Sequence, residues 1–122
     1  MSGAARRLLR QATDPFAVSD FAEGEVASAI SRLVRTRELT PDQGVGALAV
    51  FDRWLPVAAT RVSTESADIR AAILLVRQFD LKLRTPDALH LAISHRVSAT
   101  LVTFDDRLAL AAQAFGLSVL TP

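Results

Sequence analysis

Short apolar, β-branched runs alternate with longer amphipathic stretches along this chain, and that alternation restricts its fold more than any other feature. The sharpest run is Thr100-Leu101-Val102-Thr103-Phe104, which ends in a pair of acids, Asp105 and Asp106. Phe16-Ala17-Val18-Ser19 and residues 57–62 are weaker strand candidates, and Leu117 to Leu120 forms the last one. Between them lie stretches with apolar residues at helical spacing. Phe21, Val26, Ala29, Ile30, Leu33 and Val34 mark a helix over 21–36, with Asp20 as its expected N-cap and Glu23 as the capping-box partner. Thr40-Pro41 opens a second helix, which should run to about Trp54 and stop before Pro56.

Ser63-Thr64-Glu65 caps a third helix reaching about Phe79, and Thr85-Pro86-Asp87 starts a fourth that runs to about Val97. Asp106 to Phe115 forms a fifth, with Gly116 just past its end. A short helix over 3–12 precedes all of these and ends at Asp14-Pro15. Strands separated by helices imply right-handed crossovers and a parallel sheet covered on both faces. In such sheets, sites lie beyond the carboxyl ends of the strands. That rule directs attention to acids that follow strands or start helices.

Composition narrows the chemistry. The chain has 122 residues, half of them hydrophobic, which suits one domain with a real core. It has no cysteine, so disulfides, zinc–thiolate sites and cysteine nucleophiles are excluded. Its net charge of +1 does not announce nucleic-acid binding. Lys82 is the single lysine among 14 basic residues. GC-rich codon usage explains that bias, although arginine also offers a planar fork for phosphate. The longest apolar run, Ala71 to Val76, stops at Arg77 and is far short of the ~18–20 residues of a membrane helix. Arg6, Arg7 and Arg10 are followed by no apolar core of a secretory signal, so a cytoplasmic location is expected.

Three acids stand out. Asp105 directly follows the best strand, Asp87 is expected at the second position of its helix, and Glu25 sits at the border of an apolar helix face. Each has a local explanation: Asp105 as a helix cap, Asp87 as an acid favoured by the helix dipole, Glu25 as an ordinary surface residue. Asp106 reads as the N-cap of the helix from Arg107. Gathered together, three carboxylates would suit a hard divalent cation such as Mg²⁺ or Mn²⁺. His90 and His95 are five apart, the wrong helical spacing for co-ligands, and His90 reads as packed near the sheet. Trp54 and the six Phe read as core or interface residues spread singly, not as a base-stacking platform. There is no P-loop, dinucleotide-binding turn or nucleophile elbow.

Residues 83–122, with P-D-A-L-H-L-A, then L-V-T-F-D, then R-L-A and G-L-S-V, resemble the C-terminal half of PIN-domain ribonucleases, especially VapC-type toxins of toxin–antitoxin pairs. Residues 18–39, with E-V-A-S-A, match more loosely, and 40–80 only in helical pattern. The resemblance implies a three-layer α/β fold around a central parallel sheet, Mg²⁺ or Mn²⁺ held by clustered acids, and hydrolysis of RNA. By position, Glu25, Asp87 and Asp105 match the family's acids, and Thr103 matches a hydroxyl that supports them. It also implies a VapB-like antitoxin and a homodimer as partners.

The family opens with a central strand ending in an acid, and no such segment is present here. The expectation is therefore a single PIN-like domain, residues 1–122, incomplete at its N-terminus. The rival expectation is a catalytically weakened or inactive module that binds an antitoxin or itself.

Overall fold

The computed structural model describes residues 16–99, 101–102, 106–114 and 116–120. The helix expected over 3–12 lies outside them. The order is β1 (Phe16–Ser19), α1 (Asp20–Arg35), α2 (Pro41–Ala58), β2 (Ala59–Val62), α3 (Ser66–Val76), a 3₁₀ turn (Phe79–Leu81), α4 (Thr85–Arg96), β3 (Leu101–Val102), α5 (Asp106–Ala114) and β4 (Val119–Leu120). The architecture is mixed α/β, mostly helical, with parallel strand pairing. β1 pairs in parallel with β2, placing Phe16 opposite Ala59 and Ser19 opposite Val62. β3 pairs in parallel with β4, with Leu101 opposite Val119. The chain divides into two compact units, Thr13–Ser63 and Thr64–Pro122.

In the first unit, α1 starts because the Ser19 hydroxyl accepts a hydrogen bond from the Ala22 amide at 3.0 Å. The cap is thus Ser19, one residue earlier than the expected Asp20. Serine ends β1 in an extended conformation and is itself buried, which leaves Asp20 as the first helical residue. Glu23 is not the capping-box partner. Its carboxylate is held by Arg61 of β2, at 2.6 and 3.3 Å. At the start of α2, Thr40 and Gln43 do form a capping box, at 3.1 and 2.9 Å, an arrangement that stabilises a helix by about 1 kcal/mol.

α2 passes through Pro56 and ends at Ala58, four residues beyond the expected stop. Proline in the last turn removes a single helical hydrogen bond. The Ala59 amide still reaches the Leu55 carbonyl, so the helix closes and β2 begins at once. Val57 and Ala58 therefore belong to the helix, not the strand. Gly44 is buried where α2 meets α1, and a Cβ there would stand 2.6 Å from Val34 Cγ2. The aromatic residues are not all spread singly: Phe16 and Phe51 both lie against Trp54, with ring centroids 6.1 and 6.0 Å apart.

In the second unit, α3 and α4 pack along each other, burying Ala72 against a helix whose Ala88, Leu89, Leu91, Ala92 and Ile93 are all buried. Alanines at the contact suit a close approach of the helix axes, and Leu91 is 1% exposed. α3 stops at Val76 and does not reach Phe79. The reason is visible in burial: Phe79 is 86% exposed, so the apolar period has left the core by then. The chain tightens through the 3₁₀ turn, Lys82 takes a left-handed conformation (φ 54°), and Leu83 returns to the core. α4 ends at Arg96, one residue before the expected Val97. α5 starts at Asp106 itself, ends at Ala114, and is followed by Gly116 with φ 75°. The last strand covers only Val119–Leu120 of the expected 117–120.

Among the described residues, no helix is long and apolar enough to cross a membrane.

Candidate functional site

Asp87 is the third residue of α4, one place further in than expected. The helix starts at Thr85, and Arg84 occupies the N-cap position in an extended conformation, with no side-chain capping bond. Its carbonyl accepts the Ala88 amide at 3.0 Å, the first bond of the helix. Asp87 therefore lies in the first turn, where a carboxylate meets the positive end of the helix dipole. Its side chain is 15% exposed and its Oδ2 atom is buried. The Arg84 guanidinium Nε stands 3.9 Å from Oδ2, an ion-pair distance too long for a hydrogen bond.

Glu25 sits on α1, in the unit formed by residues 13–63, and is exposed. Asp87 belongs to the unit formed by residues 64–122. Asp105 and Thr103 lie outside the described residues. Asp106 is the first residue of α5, not a cap preceding it.

His90 and His95 lie on α4, His90 half-buried and His95 exposed. His95 borders a groove of about 350 Å³ lined otherwise by Ala71, Leu74, Leu75, Gln78, Leu91, Ala92 and Leu117. That groove holds no carboxylate, so its lining is distinct from the acid chemistry at Asp87.

The donor set suits a hard cation in kind. All three candidate acids offer carboxylate oxygens, and the Asp87 side chain is 15% exposed. Among the described residues, no three His, Asp or Glu side chains gather into a metal-holding group.

The sequence reading missed one carboxylate, that of Asp68. It is 2% exposed and carries two hydrogen bonds from Arg96, Nε to Oδ1 at 2.8 Å and Nη2 to Oδ2 at 2.9 Å. Oδ2 also accepts the Glu65 amide at 2.9 Å. The hydrogen bonds from Arg96 hold the Asp68 carboxyl below its ordinary range against the opposing effect of burial, helped by the Glu65 amide and by the Arg96 charge. The only signal in sequence is an acid three residues after Glu65, the spacing of a reciprocal cap. Arg61, similarly, is held above the ordinary arginine range by its hydrogen bonds to Glu23 and by that residue's charge.

Asp68 and Asp87 thus differ in kind. Asp68 is saturated by a two-pronged partner and has a structural role. Asp87 is half-buried, with the exposed Arg84 guanidinium 3.9 Å away.

No curated protein is similar enough to the chain to count as a match. The sequence model of one family does match, described as the PIN domain and aligned over residues 2–114. PIN domains are in general divalent-metal-dependent nucleases. An α/β architecture with parallel strand pairs, a first-turn acid on α4 and a family match that takes in nearly all of the chain agree: the chain belongs to the PIN domain family.

Proposed function

We propose that this PIN domain is an endoribonuclease of the VapC toxin type, hydrolysing RNA phosphodiester bonds with Mg²⁺ or Mn²⁺. The observation that carries the proposal is the family match over residues 2–114, which takes in Glu25, Asp87 and Asp105. Asp87 and Asp105 would hold the cation, Glu25 would help hold it or orient water, and Thr103 would support the acids. Such an ion activates water and neutralises charge that develops on the phosphate during displacement. Asp87, set in the first turn of α4 with its side chain 15% exposed, is placed in keeping with that role. A VapB-like antitoxin and a second copy of the chain are its proposed partners, and a membrane is not.

The test is cleavage of single-stranded and structured RNA by the purified chain, with Mn²⁺ and with a chelator. Cleavage that requires the ion and disappears in both Asp87→Asn and Asp105→Asn supports the reading. Cleavage unchanged in both variants overturns the site, and Mn²⁺ binding without cleavage favours the inactive binding module.

A further inference from the structure

We propose that Arg84 is a substrate-binding residue of the acid site, holding a phosphodiester oxygen of RNA beside Asp87. The inference rests on the nuclease reading and adds a residue to it.

Helix capping does not explain an arginine at position 84. The N-cap position of a helix favours Ser, Thr, Asp or Asn, whose side chains accept the free amides. Arginine has no acceptor to offer, and Arg84 makes no capping bond. A cation at a helix N-terminus is also opposed by the dipole. Neither helix initiation nor helix electrostatics calls for this side chain.

Neutralising Asp87 does not explain it either. The same unit contains an Arg–Asp pair built for structure: Arg96 is 30% exposed and grips Asp68, 2% exposed, with hydrogen bonds of 2.8 and 2.9 Å. Arg84 differs on each count. Its side chain is 79% exposed and stands 3.9 Å from Asp87. A pair this wet and this long adds little to folding.

The backbone on either side is nevertheless fixed. Leu83 is buried at 7% exposure, and the Arg84 carbonyl is bonded into α4. The result is an anchored residue with a solvated guanidinium next to a shielded carboxylate. A planar fork of that kind suits a carboxylate or a phosphate, and beside the acids of a nuclease site the ligand is a phosphate. Lys82, exposed and left-handed at φ 54°, adds a second cation two residues earlier, on the far side of the Leu83 anchor.

The experiment measures binding of a labelled single-stranded oligoribonucleotide by the full chain in chelator, over a salt series, with a parallel Mn²⁺ titration of the RNA-free protein. Arg84→Gln should weaken RNA binding about 3- to 10-fold and reduce the salt slope by about 0.7, the value for one phosphate contact on a single strand. Arg84→Lys should keep the slope. Mn²⁺ affinity should be unchanged or tighter in Arg84→Gln, because a competing cation has gone. RNA affinity and slope unchanged in Arg84→Gln overturn the inference, as does a loss of Mn²⁺ affinity, which would make Arg84 a support for Asp87. If the parent chain cleaves RNA and Arg84→Gln binds it equally well, this inference alone fails. If the parent chain binds no RNA at any salt, the nuclease reading fails with it.

Discussion

Arg96, the last residue of α4, closes a two-pronged grip on Asp68 in the first turn of α3, with bonds of 2.8 and 2.9 Å. A third contact, 3.3 Å from Arg96 Nη1 to Glu65, lies at the rim. The pair ties the end of one helix to the start of its neighbour, but its members are unequal: Asp68 is 2% exposed and Arg96 30%. Removing the acid leaves a guanidinium that can turn to water. Removing the base leaves a carboxylate that cannot, and stranded buried charges are among the costliest defects. Asp68→Asn should cost about 2 kcal/mol of stability, and Arg96→Met should lower the unfolding midpoint further. Denaturant unfolding of both variants checks the order, and equal midpoints would contradict it.

The same pair sets an acid sensitivity. The Asp68 carboxyl is held below its ordinary value of 3.8 in the folded protein, foremost by the Arg96 hydrogen bonds. Between the two values the unfolded chain binds the proton and the folded one does not, so stability rises with pH there. The stabilisation is complete above the ordinary value and is lost as pH falls through the folded one. Thermal unfolding from pH 6 down to pH 2 should show a falling midpoint that is flatter in Asp68→Asn. Parallel curves would assign the acid sensitivity to other carboxylates.

Gly44 lies where α2 crosses α1, and a Cβ built on it stands 2.6 Å from Val34 Cγ2 and 3.6 Å from Ile30 Cγ2. The valine is stiff at χ1, so the helices must part or the side chain must leave its rotamer. Alanine recovers up to about 1 kcal/mol of helix propensity, which offsets part of the clash. Gly44→Ala should still destabilise by about 1–2 kcal/mol net. In a Val34→Ala background the same change should become neutral or stabilising, measured as a double-mutant cycle. No coupling between the two positions would rule the contact out. Gly24 and Gly46 have open space around them, so alanine at either should be tolerated.

Local signals were readable where a short-range rule decides the outcome. Phe16–Ser19 forms the expected strand, Thr40-Pro41 starts a helix, and Gly116 takes the left-handed position after α5. The errors have tertiary causes. Helix α2 outlasts Pro56 because β2 must begin at Ala59 to pair with Phe16. The third helix was expected to reach Phe79, but it stops at Val76, leaves Phe79 exposed and the chain buries Leu83. The site divides in the same way. Asp87 was legible as a first-turn acid after Thr-Pro, because position within a helix is local. Arg84 was not, since its meaning depends on its exposure, on its distance from Asp87 and on the contrast with Arg96.

The acids themselves yield the last prediction. Asp105 and Asp106 are adjacent, yet the proposed function places only Asp105 among the ligands, while Asp106 starts α5. Metal-dependent RNA cleavage should therefore separate the two. Asp105→Asn and Asp87→Asn each remove a proposed ligand charge, and should reduce cleavage by about 10²-fold or more, the scale of losing one electrostatic contributor to a transition state. Glu25→Gln should fall between these and the parent chain, since it would orient water or share the ion. Asp106→Asn should leave the rate within a few-fold of the parent, because asparagine is also accepted at a helix start. Chelation should abolish cleavage in every active variant, and Mn²⁺ should restore it. Single-turnover rates at saturating RNA measure all of this. A rate that falls in Asp106→Asn and not in Asp105→Asn would move the proposed ligand one residue along the chain.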